Sequence, residues 1–147
     1  MLDHTTNLKS LLKNPSLLRE DAFLAGEWVG GAGGATFDVY NPARGDVIAK
    51  VADLSRADVA KAIEVAYKAQ KEWAKLTGKA RANIMRKWFD LMMANQDDLA
   101  IIMTAEQGKP VAEAKGEIAY AASFVEWFGE EAKRIYGETI PGHMADK

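Results

Sequence analysis

A chain of 147 residues, 48% hydrophobic and 27% charged with a formal net charge of −2, has the balance of a globular protein and the length of one domain or of part of a larger one. That charge excludes a non-specific nucleic-acid binder, which would carry a basic excess on one face. The absence of cysteine excludes disulfides, thiolate metal sites and a cysteine nucleophile within these residues, and no run approaches the roughly 18 to 20 apolar residues that a membrane helix needs.

Along the chain, Leu8, Leu11, Leu12, Leu17 and Leu18, interrupted by Asn14-Pro15, predict one or two short amphipathic turns. With Asp3, Glu20 and a single arginine (Arg19), residues 1–20 have neither the apolar core of a signal peptide nor the basic character of a transit peptide, which points to the cytoplasm. Residues 22–29 read as one strand. A loop through Gly30, Gly31, Gly33 and Gly34 follows, then a second strand over 35–40, a turn through Asn41-Pro42 and Gly45, and a third strand over 47–51. β-Branched and aromatic residues bounded by Gly and Pro make this a small antiparallel unit. The glycine cluster is followed by a strand. A phosphate loop needs a helix there, so the cluster is predicted to be a hairpin connection.

From Ser55 the period becomes helical. Ser55 and Asp58 form an acidic capping box, and Val59, Ala62, Ile63, Ala66, Ala69, Trp73 and Leu76 make one apolar stripe. Thr77-Gly78 marks a break. A second helix carries Ile84, Met85, Trp88, Phe89, Leu91 and Met92 to about Ala94. Asn95 or Gln96 then caps a third helix with Asp97 and Asp98 in its favourable first turn. Gly108 suits the left-handed position that closes it, and Pro110 follows. The fourth helix is predicted over 111–136, about 39 Å long. Ala114, Ile118, Ala122, Val125 and Ile135 lie on its stripe, which Phe124 and Trp127 widen, so two sides want cover. Gly137 closes it, and a partner surface for Ile118, Val125 and Trp127 is expected to lie outside these residues.

Chemistry is scarce. His4 and His143 stand near opposite ends outside any motif, and no His/Asp/Glu cluster has metal spacing. The acids of the fourth helix lie largely off its stripe, and Glu130 with Lys133 or Arg134 reads as surface pairing. Glu106 is less ordinary, because an acid at a helix C-terminus opposes the macrodipole. Pairing with Lys109 would relieve that misfit, and so would a bound cation.

Three stretches together carry a resemblance: Ala25-Gly26-Glu27-Trp28, then Tyr40-Asn41-Pro42-Ala43-Arg44-Gly45, then Thr104-Ala105-Glu106-Gln107-Gly108-Lys109-Pro110. Continued by Glu126-Trp127-Phe128, Arg134-Ile135-Tyr136-Gly137 and Ile140-Pro141-Gly142, the chain from about residue 21 resembles the aldehyde dehydrogenase superfamily. The match is densest to its bacterial succinate-semialdehyde branch, to which glutarate-semialdehyde enzymes are similar. The resemblance implies an α/β fold with a Rossmann-type cofactor domain, of which this segment supplies mostly helices and a small N-terminal antiparallel β unit. It implies an N-terminal helical extension over 1–20, the first part of the cofactor domain over 21–137, and the start of an oligomerisation arm over 138–147.

In activity it implies an oxidoreductase that oxidises a semialdehyde to an acid with NAD or NADP. A cysteine nucleophile, a water-activating glutamate and oxyanion donors all lie downstream of Lys147. The segment is then an inactive N-terminal part of a dimeric or tetrameric cytoplasmic enzyme, with no catalytic or cofactor-binding residue of its own and no nucleic-acid or membrane partner. The resemblance also implies a monovalent cation held by the carbonyl of Val39 or Tyr40 and by Glu106. A glutarate-semialdehyde or other aldehyde dehydrogenase, or a non-catalytic helical interaction module, stands as the alternative.

Overall fold

Residues 7–145 are described by a computed structural model, and the side chains of Asn7 and Asn14 start its first two turns. Each Asn accepts the backbone N–H two residues on, opening 3-10 turns at Leu8–Leu11 and Pro15–Leu17. These turns bring Leu8, Leu12 and Leu18 into one buried cluster against Leu11, Ile48, Ile101, Ile102 and Ala105. The N-terminal segment therefore shares its core with a strand and a helix from later in the chain.

The run over 22–29 is a hairpin and not one strand. Strands β1 (Ala22–Leu24) and β2 (Glu27–Val29) pair antiparallel across Ala25 and Gly26. Both turn residues have positive φ (56° and 90°), the type I′ pattern that suits two-residue hairpins. Ala25 is an unusual occupant of such a position, so propensity gave no turn signal there. Strands β3 (Thr36–Tyr40) and β4 (Val47–Ala52) form a second antiparallel pair. The glycine cluster joins these two separate sheets through a 3-10 turn at Ala32–Gly34, so the expected hairpin between strands 22–29 and 35–40 is absent.

Four helices follow: α1 (Arg56–Lys75), α2 (Gly78–Ala94), α3 (Gln96–Gln107) and α4 (Val111–Glu131). The capping box of α1 is complete, with the Ser55 hydroxyl accepting from Asp58 N–H and the Asp58 carboxylate accepting from Ser55 N–H. Yet no residue of α1 is buried, and Ile63 is 65% exposed. Thr77 caps α2, which together with α3 packs on α4. Asn95 does not cap α3 with its side chain; its amide donates to the carbonyl of Leu91 at the end of α2.

Helix α4 is shorter than the periodicity predicts. It stops at Glu131, about 32 Å long, because the chain turns at Ala132–Lys133, where the Ala132 carbonyl lies against Gly78. Gly137 therefore closes no helix. Ala114, Ile118, Ala122 and Val125 are buried, whereas Phe124, Trp127 and Phe128 on the other side are exposed. Of the three residues expected to lack a partner, only Trp127 does. No helix among the described residues is long and apolar enough to cross a membrane.

Candidate functional site

The Asn41-Pro42 turn after β3 and the Gly108-Lys109-Pro110 turn after α3 meet. Asn41 organises the first: its Oδ1 accepts from Ala43 N–H, its carbonyl accepts from Gly45 N–H at 2.7 Å, and its N–H donates to the Asp46 carbonyl. Arg44, largely covered, forks onto both carboxylate oxygens of Asp46 at 2.7 Å. In the second turn Gly108 adopts φ 83° and donates to the Thr104 carbonyl. A Cβ on Gly108 would come within 3.0 Å of Pro42 Cγ, which fixes how closely the turns approach.

Val39 is half-buried near the end of β3 and Tyr40 is exposed beside it, with the strand register broken by a bulge between the two. The Tyr40 hydroxyl donates to Asp38 at 3.4 Å. Glu106 occupies the last turn of α3. Lys109 does not relieve it: its ammonium, mostly covered, pairs with Glu117 at 2.7 Å. Glu106 has no hydrogen-bond or ion-pair partner among the described residues, and partial desolvation by the surrounding protein pushes its carboxyl above the usual range. Glu106 is nonetheless exposed at the surface, and an unpaired carboxylate there has the donor chemistry for a hard cation. No group of three or more His, Asp or Glu side chains capable of holding a metal occurs among the described residues.

The glycine loop has no place for a nucleotide phosphate. A Cβ on Gly31 would lie 2.4 Å from the Asp53 carbonyl oxygen and 2.5 Å from that of Ala35, so Gly31 permits close packing of backbone on backbone. The loop leads into β3, with no helix N-terminus to receive an anion. The glycine loop therefore does not fit a dinucleotide phosphate. A cavity of about 180 Å³ lies between α2 and α4, lined by Asn83, Arg86, Glu126 and Glu130 among others. It falls below the size usual for ligand sites, and Arg86 and Glu126 close on each other across it at 2.6 Å. The surface pairing expected of Glu130 is made instead by Glu131, with Arg134. His143 is exposed, and His4 lies outside the described residues.

One structural role was not legible in the sequence. Asp98 is 3% exposed and accepts from the backbone N–H groups of Lys13 (3.0 Å) and Asn14 (2.7 Å), tying the N-terminal turns to α3. Its neighbour Asp97 pairs with Lys13 and Lys115. Two adjacent acids at a helix start read equally well as dipole complements, and nothing local marks one as a long-range clamp.

The model of the aldehyde dehydrogenase family matches residues 28–147. A glutarate-semialdehyde dehydrogenase of Pseudomonas aeruginosa is 60% identical over 136 residues, which are 92% of this chain and 28% of that relative. The NADP(+) succinate-semialdehyde dehydrogenase of Escherichia coli is 55% identical over the same shares. Among solved structures, an aldehyde dehydrogenase of Brucella melitensis superposes with a TM-score of 0.88 at 56% identity, over 91% of this chain and 28% of that one. The chain spans little more than a quarter of the length of these relatives.

Proposed function

Because this chain belongs to the aldehyde dehydrogenase family, we propose that it is the first part of the cofactor domain of an oxidoreductase that oxidises succinate semialdehyde to succinate with NAD or NADP. Residues 1–20 form its N-terminal extension, 21–137 the covering layer of strands and helices, and 138–147 the start of an oligomerisation arm in a cytoplasmic dimer or tetramer. By itself the segment is silent. The observation that carries this reading is the identity of 55–60% to semialdehyde dehydrogenases across nine-tenths of the chain, joined to the lack of any cysteine in its sequence. Glutarate semialdehyde is the second reading, favoured by the 60% relative.

Reduced nicotinamide formation should be undetectable when the chain alone is given either semialdehyde with NAD or NADP. Calorimetric titration with either nucleotide should release no heat. Turnover by the isolated chain would overturn the reading.

We further propose a monovalent cation between the backbone carbonyl of Val39 or Tyr40 and the Glu106 carboxylate. Support comes from Glu106 having no partner among the described residues, from its partial desolvation, and from the two turns meeting at Gly108 and Pro42. Sodium or potassium should raise the thermal midpoint relative to choline at equal ionic strength. Glu106→Gln should remove that difference; an unchanged difference in the variant would dispose of the site.

A further inference from the structure

The two sources of ligands for the candidate cation belong to different packing units. Strands β3 and β4 pack chiefly on each other, whereas α3, which carries Glu106, packs chiefly on α4. The turns approach each other at Pro42 and Gly108, and residues 8–18 join the units elsewhere. Leu8, Leu12 and Leu18 are buried together against Ile48 of β4 and against Ile101, Ile102 and Ala105 of α3. Both contacts border the candidate ligands. Ala105 immediately precedes Glu106. Ile48 is the residue opposite the bulge: Val39 pairs with Ala49 and Tyr40 with Val47, which leaves Ile48 without a cross-strand partner. A bulge re-aims the local backbone, so what packs on Ile48 bears on where the Val39 and Tyr40 carbonyls point.

Polar ties hold the same segment at both units. Asp98, at the start of α3, accepts the N–H groups of Lys13 and Asn14 at 3.0 and 2.7 Å, and the Lys13 ammonium pairs with Asp97 at 3.1 Å. Just beyond the leucines, the Glu20 carbonyl accepts the N–H of Ala52 at the end of β4 at 2.8 Å. The segment itself holds only two short 3-10 turns, so it can open without breaking α3 or the β3–β4 pair. We propose that residues 8–18 are a strap that sets the bulge of the β3–β4 pair against the end of α3, so that strap docking and cation binding at Glu106 strengthen each other. This rests on the cation reading above. Because the coupling is a free energy shared by two equilibria, each must shift the other by the same factor.

Both directions can be measured on the full chain. Saturating sodium or potassium should slow amide exchange of residues 8–18 at least about fivefold relative to choline at equal ionic strength. Asp98→Asn turns an amide NH2 toward a backbone donor and loosens the strap. It should raise at least about fivefold the cation concentration needed for a given rise in thermal midpoint. Leu12→Ser loosens the strap without altering α3 and should act alike, with helical content retained. Glu106→Gln should abolish the slowing of strap exchange. A cation that raises the midpoint through Glu106 yet leaves strap exchange unchanged would overturn the strap's role and leave the cation reading standing. Equal cation affinity in the unaltered chain and in a variant whose strap is open would do the same. A midpoint indifferent to the cation in the unaltered chain, or a slowing that survives Glu106→Gln, would sink the cation reading and the strap's role with it.

Discussion

Asp97 and Asp98 are neighbours in the first turn of α3 and do different work. Asp98 satisfies two backbone N–H groups in a buried place, so Asp98→Ala leaves both donors of Lys13 and Asn14 unpaired. A loss of about 2–3 kcal/mol in urea unfolding is expected, with residues 7–18 released first in hydrogen exchange. Asp97 is half-exposed, and its carboxyl is held below the usual range by its bond to Lys115 and then by Lys13. The capping carboxylate of Asp58 is held down likewise, first by the Ser55 hydroxyl and then by the Ser55 N–H. A lowered folded value means stability that is complete above the ordinary carboxylate range, near about 4, and lost as pH falls through the lowered value. Glu106 has the opposite sign. Its raised value means that the fold binds that proton more tightly than the unfolded chain does, so its contribution worsens as pH rises through the raised value. Glu106→Gln should therefore raise the urea midpoint at pH 7 in choline buffer, whereas Asp97→Asn should shallow the acid limb of the stability profile. A midpoint lowered by Glu106→Gln would show that the carboxylate has a stabilising partner.

At the scale of elements, the sequence was most legible where the determinants are local. The Ser55–Asp58 capping box and the left-handed Gly108 are each read from a few adjacent residues, and each stands where the pattern places it. Ser55→Ala should cost about 1 kcal/mol. Because α1 buries no residue, that loss should appear as fraying of its first turns in amide exchange, with little change in α2–α4. Errors arose where a distant contact decides. The apolar period runs on through Ala132 and Ile135, but α4 ends where Ala132 meets Gly78, a residue more than fifty positions away. Lys109 bonds Glu117 on the next helix and leaves the nearer Glu106 unpaired. The turn at Ala25-Gly26 needs positive φ at an alanine, for which no residue preference gives warning. Gly31 shows the same point in reverse: its cluster reads as a hairpin connection, and it is needed for the close approach of the Asp53 and Ala35 carbonyls. Gly31→Ala should destabilise the junction of the two sheets and lower the urea midpoint. An unchanged midpoint would mean that the backbone there can shift freely.

At the scale of the molecule, family and architecture were legible because the motifs lie in order along the whole chain. The candidate cation site was legible only as a set of positions, since whether Glu106 finds a partner depends on where Lys109 reaches. The surface carries much apolar area: the buried residues are leucines, alanines, Ile118 and Val125, while Phe124, Trp127 and Ile63 face outward. Burying apolar area is the main driving force for such a fold, and much of that area is uncovered here. If the reading proposed above holds, this chain is interchangeable with the first part of a semialdehyde dehydrogenase. Its most direct test replaces the matching 28% of the Pseudomonas aeruginosa relative with this chain and measures oxidation of succinate and glutarate semialdehydes by the chimera. The account predicts turnover of at least one semialdehyde, within about tenfold of the parent kcat/KM, roughly 1.4 kcal/mol in transition-state terms. A soluble, folded chimera without turnover of either would contradict it.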